Sequence, residues 1–169
     1  MARIVLNIIS SKNYLSGVAK ILKKSTGKNV VYVTTNNIYT TIQDSLKKEK
    51  VNSSKIFFVD CVSKSLNPKA VDAPNCIFVE GAGSLSSISI AINAALNSIT
   101  GKKILFFDSL SVLLLYQDAN TVARFSSFVL NKMRSLDVDA VILALDSDAQ
   151  KDVLKHIESL VDEVIHGGK

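Results

Sequence analysis

Seven short runs rich in β-branched residues recur along the chain, separated by longer stretches of helical period, and few architectures accommodate that alternation. The runs are Ile4 to Ile9, Val30 to Val33, Ile56 to Val59, Ile77 to Val79, Ile104 to Phe107, Ala140 to Leu145 and Val164 to Ile165. Several are apolar at every position, as a strand is when helices cover both of its faces. Between the runs, apolar residues step by three and four: Leu15, Val18, Ala19 and Leu22; Ile38, Ile42 and Leu46; Leu85, Ile88, Ile92, Ala95 and Ile99; Val122, Phe125, Val129 and Met133; Val153, Ile157 and Leu160. Each stripe is a helix face laid on the sheet. The order predicts an α/β fold, a three-layer α-β-α sandwich around a mainly parallel sheet.

Turn residues fall between the runs, at Thr26-Gly27-Lys28, Asn67-Pro68 through Pro74-Asn75, Thr100-Gly101-Lys102 and Asp137. The least regular segment, Ser63 to Asn75, holds both prolines and reads as a surface excursion between two strands. With 169 residues, 47% of them apolar, and no internal repeat or linker composition, the chain is expected to be a single domain over 1–169. The longest apolar stretch, Ile104 to Tyr116, is broken by Asp108, Ser109 and Ser111 and falls short of the roughly 20 residues that cross a bilayer. The start, Met1-Ala2-Arg3, lacks a signal-peptide layout, so a cytoplasmic location without membrane attachment is expected. Cys61 and Cys76, the two cysteines, lie beside predicted strands and read as reduced core thiols.

The net charge of +5 is uneven: residues 1–60 carry ten Lys and Arg against three Asp and Glu, and residues 61–169 carry ten against twelve. Lys20, Lys23, Lys24 and Lys28, then Lys47, Lys48 and Lys50, fall near two predicted helix C-termini, where cations offset the negative end of the helix dipole. A nucleic-acid surface is the alternative, but no aromatic residues interleave with these lysines to stack on bases.

The strongest chemical feature is Ile104-Leu105-Phe106-Phe107-Asp108-Ser109, a hydrophobic strand ending in an acid. In P-loop ATPases an Asp at this point organises the magnesium that neutralises the phosphates. The phosphates themselves need a glycine-rich nest and a lysine after the first strand. Here that position reads Ser10-Ser11-Lys12-Asn13-Tyr14-Leu15, with no glycine and too few residues. Ser11 or Asn13 is expected to cap the next helix, with Lys12 exposed beside it. A second anion-turn candidate is Glu80-Gly81-Ala82-Gly83-Ser84-Leu85-Ser86, one glycine short of a dinucleotide fingerprint, with Asp108 ending the next predicted long strand as a ribose acid would. Ser84, Ser86 and Ser87 serve equally as helix caps. Asp60 ends a strand as a phospho-acceptor would, but Ser10-Ser11 supplies no partner acids. His156 and His166 have no ligands at metal spacing, and no Ser-His-Asp order or nucleophile elbow is present.

From Val30 to Ile165 the segment order resembles the KaiC-like branch of RecA-type ATPases. The resemblance runs through Val31-Tyr32-Val33-Thr34-Thr35, Phe58-Val59-Asp60, Leu85 to Ile92, Leu105-Phe106-Phe107-Asp108-Ser109-Leu110-Ser111-Val112-Leu113, Arg124-Phe125 to Asn131-Lys132-Met133-Arg134, and Val161-Asp162-Glu163-Val164-Ile165. It implies a RecA-like topology. In active members a phosphate loop follows the first strand and a glutamate pair follows the second; here Asn36-Asn37 stands where the glutamates are expected, and an amide cannot take a proton from water as a carboxylate does. The combination implies a degenerate member, without a cofactor, that works through a protein partner or self-association. The alternatives are weak ATP binding through Asp108, Ser109, Ser10, Ser11 and Lys12, with magnesium on Asp108, and a nucleic-acid-binding module.

Overall fold

All seven runs form strands, three of them reaching the polar residue just past the apolar stretch, Thr34, Asp60 and Asp108. A computed structural model describes residues 1–25, 27–69, 72–146 and 151–167. Along the chain, β1 (Ile4–Ile9) leads to α1 (Tyr14–Lys23), β2 (Asn29–Thr34) to α2 (Tyr39–Lys48), and β3 (Ile56–Asp60) to a short α3 (Ser63–Leu66). Then come β4 (Cys76–Phe78), α4 (Leu85–Ser98), β5 (Lys103–Asp108), a one-turn α5 (Leu110–Leu113), α6 (Ala119–Ser135), β6 (Asp139–Leu145), α7 (Lys151–Glu158) and β7 (Glu163–Gly167). The strands make one parallel sheet in the order β4-β3-β2-β5-β6-β1-β7.

The period-two alternation of the strands divides the core. Tyr32, Phe58, Phe106 and Leu143 face α1 and α2, whereas Val33, Leu105, Phe107 and Ile142 face α4 to α7. The fold is therefore a three-layer α/β sandwich. On the first face an aromatic row crosses the sheet: Phe106 stacks on Tyr32 at 5.2 Å between ring centroids, Tyr32 meets Phe58 at 5.6 Å, and Tyr39 of α2 stands edge-on to Phe58 at 5.2 Å. Each such pair contributes roughly 0.5–1.5 kcal/mol beyond its buried area.

Lys20, Lys23, Lys47 and Lys48 lie in the last turns of α1 and α2, where the helix dipole favours them. Gly27, Gly101 and Asp137 take the positive φ that their turns require; Thr26, and residues 70 and 71 of the Ser63–Asn75 excursion, lie outside the described residues. That excursion opens on α3, a helical turn the sequence did not suggest. Both cysteines are buried and free, and no described helix is long and apolar enough to cross a membrane.

The strand order positions the site. From β2 the chain steps outward through β3 to β4, and from β5 it steps the other way to β6. Helices leaving β2 and β5 thus cover opposite faces, and the crevice at the carboxyl ends of these two strands is where open α/β sheets take their ligands. Thr34 of β2 and Asp108 of β5 are paired in register there.

Candidate functional site: a buried carboxylate at the sheet switch point

Asp108 is wholly buried. One carboxylate oxygen accepts a hydrogen bond from the hydroxyl of Tyr14, the first residue of α1, and the other from the hydroxyl of Tyr32, inside β2. Burial pushes the Asp108 carboxyl up to about 6, and the two phenol bonds hold it from rising further. Tyr14 and Tyr32 are both raised above the ordinary phenol range, first by burial and then by the adjacent Asp108 charge. Ser109 Oγ, also buried, lies near enough to Tyr14 to offset part of that rise, yet it makes no hydrogen bond of normal geometry.

The crevice is further closed from the β2 side. The Thr35 backbone N–H donates to the Asp108 carbonyl at 2.8 Å, its hydroxyl donates to the Ser109 carbonyl at 2.9 Å, and the Ser109 N–H donates to that hydroxyl at 3.0 Å. Four residues, Ser10 to Asn13, join β1 to α1. They form a tight turn in which Ser10 Oγ accepts from the Lys12 N–H at 3.2 Å. Asn13, at φ 58°, is the N-cap residue but its side chain caps nothing, and neither does that of Ser11, contrary to the expected capping roles. Ser11 and Lys12 are exposed. A phosphate nest needs several consecutive amides turned toward one point; here Tyr14, the residue directly after the turn, donates its hydroxyl to an Asp108 oxygen.

Asn36 is exposed, and Asn37 is half-buried with its backbone held by Thr34: its carbonyl accepts from the Thr34 hydroxyl at 2.6 Å. The structure thus gathers Asp108, Ser109, the Ser10–Lys12 turn and the Asn36-Asn37 segment at one end of the sheet. Gly81, Gly83 and Ser84 lie at the same end but to one side of this group. They follow β4 at the sheet edge, and β3 and β2 stand between β4 and the Asp108 strand, unlike the adjacent strands of a dinucleotide unit. Gln117 donates to the Gly83 carbonyl at 2.8 Å, and Tyr116 packs on Gly83. Ser84 sits at the α4 N-cap, but its hydroxyl bonds that of Ser87 at 2.8 Å, so the expected backbone cap is not made. Asp60 is a structural acid: it accepts from the backbone of Tyr39, Val62 and Ser63 at 2.7–2.9 Å and from the Ser63 hydroxyl. Burial, with Asp60 nearby, pushes the Cys76 thiol up to about 12 and that of Cys61 higher still, which leaves both protonated and unreactive at neutral pH.

Tyr14 and Tyr32 are the site residues that sequence reasoning missed. The signal was a tyrosine inside an otherwise apolar central strand, because a buried phenol needs an acceptor. A contact between His156 Nε2 and Ser127 Oγ, 3.0 Å, was missed too; Ser127 also bonds the Ala123 carbonyl within its own helix at 3.0 Å, and the pair lies at the surface.

Comparison with solved structures places this fold among RecA-type ATPase domains. A KaiC-like protein, PH0186, from Pyrococcus horikoshii OT3 superposes with a TM-score of 0.64 at 14% identity over 96% of this chain and 70% of its own. The uncharacterized protein PH0321 from Pyrococcus horikoshii, solved in complex with an unknown peptide, gives 0.60 at 15% identity, covering 96% and 76%. A third neighbour is an ATPase domain, with a TM-score of 0.56 at 14% identity, covering 96% and 68%. No curated protein matches. The profile of DUF7504, a family of unknown function, matches residues 18–166, and the chain, with its closed Asp108 crevice on a RecA-like sheet, belongs to that family.

Proposed function

We propose that this chain is a RecA/KaiC-like domain that does no nucleotide chemistry and acts by binding protein, in a regulatory or assembly role. One observation carries the reading: the acid that would hold magnesium has both oxygens bonded to tyrosine hydroxyls, under a four-residue turn without a glycine. Phosphoryl transfer is almost entirely positioning and charge neutralisation, and the hydroxyl bonds from Tyr14 and Tyr32 to Asp108 support a carboxylate used for structure rather than for a metal. Asn36 and Asn37, lacking a carboxylate, add no base for an attacking water. The peptide-bound state of PH0321 supports a peptide-binding use of the same fold.

A reduced ATP site is the second reading, favoured by the unpartnered Ser109 Oγ beside Asp108. Titration of a fluorescent ATP analogue with magnesium separates the two. We expect no saturation of the native chain up to about 1 mM, a concentration that already corresponds to only about 4 kcal/mol of binding. Saturation below that, abolished by Asp108→Ala, would overturn the non-catalytic reading.

A further inference from the structure

The face of the molecule opposite α1 and α2 carries a groove that the Asp108 crevice does not use. Helices α4 and α6 leave between them a shallow depression of about 560 Å³, floored by Leu85 and Phe125 and flanked by Ile90 and Phe128. Ile90 is 69% exposed and Phe128 54%, a large apolar exposure for facing side chains of neighbouring helices. Surface helices normally surround such residues with mixed charge. Here α4 has no charged residue in its 14 positions, and its outward stripe is Ser86, Ile90, Ala94 and Asn97. The 17-residue α6 carries Arg124, Lys132 and Arg134 and no acid. Arg124 and Lys132 stand one turn on either side of Phe128, with Lys132 Nζ 5.7 Å from its ring centroid, and neither is in an ion pair among the described residues. Asp118, the N-cap of α6, is turned onto its own helix by bonds from the Thr121 N–H and hydroxyl.

We propose that this groove docks an acidic amphipathic helix of a partner protein. Apolar side chains at i, i+3, i+4 and i+7 would fill the space between Ile90 and Phe128, and flanking carboxylates would meet Arg124 and Lys132. The charge argues against a second copy of this chain, because face-to-face pairing sets Arg124 and Lys132 against their equivalents. From any other surface, each described helix that carries an acid carries lysines too: α2 has Asp44 with Lys47 and Lys48, and α7 has Asp152 and Glu158 with Lys151 and Lys155. The groove's charge favours a protein helix over nucleic acid, since two cations are a small footprint for a phosphate backbone. The assignment rests on the protein-binding reading above, and the nucleotide titration reports on that reading alone.

The test uses two fluorescein-labelled helical peptides of about fourteen residues, the length of α4. Both carry leucine at i, i+3, i+4 and i+7; one has glutamate at the flanking positions and the other lysine. Fluorescence anisotropy should show the acidic peptide binding the native chain at least about tenfold more tightly than the basic one. Phe128→Ala should weaken it about tenfold or more, and Arg124→Glu with Lys132→Glu should reverse the preference. Phe128 is half-exposed, so its loss should leave the circular dichroism and Tm unchanged. Equal binding of the two peptides, or acidic-peptide affinity unmoved by Phe128→Ala, would overturn the proposal. Displacement of the acidic peptide by an oligothymidylate, or a concentration-dependent dimer in sedimentation that Ile90→Glu abolishes, would overturn it in favour of nucleic acid or of a second copy.

Discussion

At the scale of single residues, Asp108 is a carboxylate that the fold has removed from water and returned only two hydroxyl donors. Its pKa rises from 3.8 to about 6, so the folded state binds this proton more tightly than the unfolded chain does. The sign follows from linkage: this contribution to stability is fully present below about pH 4 and is lost as pH rises through 6, the loss reaching roughly 3 kcal/mol by neutral pH. Asp108→Asn keeps the shape and removes the titration. Thermal melts from pH 4 to 7 should therefore show the native protein losing ground to Asp108→Asn as pH rises, by several degrees across the window. Parallel curves would mean that Asp108 has the same pKa folded and unfolded. Tyr14→Phe tests the donors. It leaves a buried charge one bond short and should cost about 1.5–3 kcal/mol at pH 7, and much less at pH 4, where the carboxyl is neutral. A pH-independent loss would assign the effect to packing instead.

At the scale of elements, Asp60 shows how one acid fixes two helix starts. Its carboxylate takes the Tyr39 N–H at the head of α2 and the Val62 and Ser63 N–H groups at the head of α3, all buried or half-buried donors. Asp60→Ala orphans them together, and each lost partner costs about 1–3 kcal/mol less whatever water recovers. Hydrogen exchange should speed at these three amides while those of Leu105 to Phe107 in β5 change little; uniform acceleration would show that Asp60 supports the whole sheet. The strands were legible in the sequence because helices cover both faces, leaving continuous runs such as Ile104 to Phe107 that begin and end abruptly. The long helices were legible because each has one covered face. The turns α3 and α5 were not, since four residues make a single turn and leave no period to repeat. Nor were the partners of Asp108: Tyr14 and Tyr32 lie 94 and 76 residues away, and only the strand order brings them to its two oxygens. The caps failed for a related reason. Ser84 had the right side chain at the right place, but the Ser87 hydroxyl competed for it, and composition does not rank the two bonds.

At the scale of the whole molecule, the sheet is deeply covered at its centre and thin at one margin. β5 and β2 lie between helices on both faces, whereas β7 pairs only with β1 among the described strands, and Ile165 to Gly167 are exposed. The Asp162 N–H donates inward to the Ile4 carbonyl at 2.8 Å. By the two-residue alternation of a parallel ladder, the N–H groups of Glu163 and Ile165 then point to the open edge. An open edge is a template for another chain, and strands of this kind are usually short or charged; β7 has five residues and begins with Glu163, tied to Arg3. If the chain self-associates through its sheet, β7 is one of the two edges that would pair, and hydrogen exchange distinguishes a free edge from a paired one. If the chain is a monomer in solution, the Ile165 amide should exchange near the unprotected rate, while Leu105, Phe106 and Phe107 exchange only through global opening. If instead Ile165 is protected, and the protection grows with protein concentration, the edge is joined to a second copy. Charge reversal at Glu163 should then weaken the pairing without touching the peptide affinity of the groove, because the two surfaces lie on different elements of the fold.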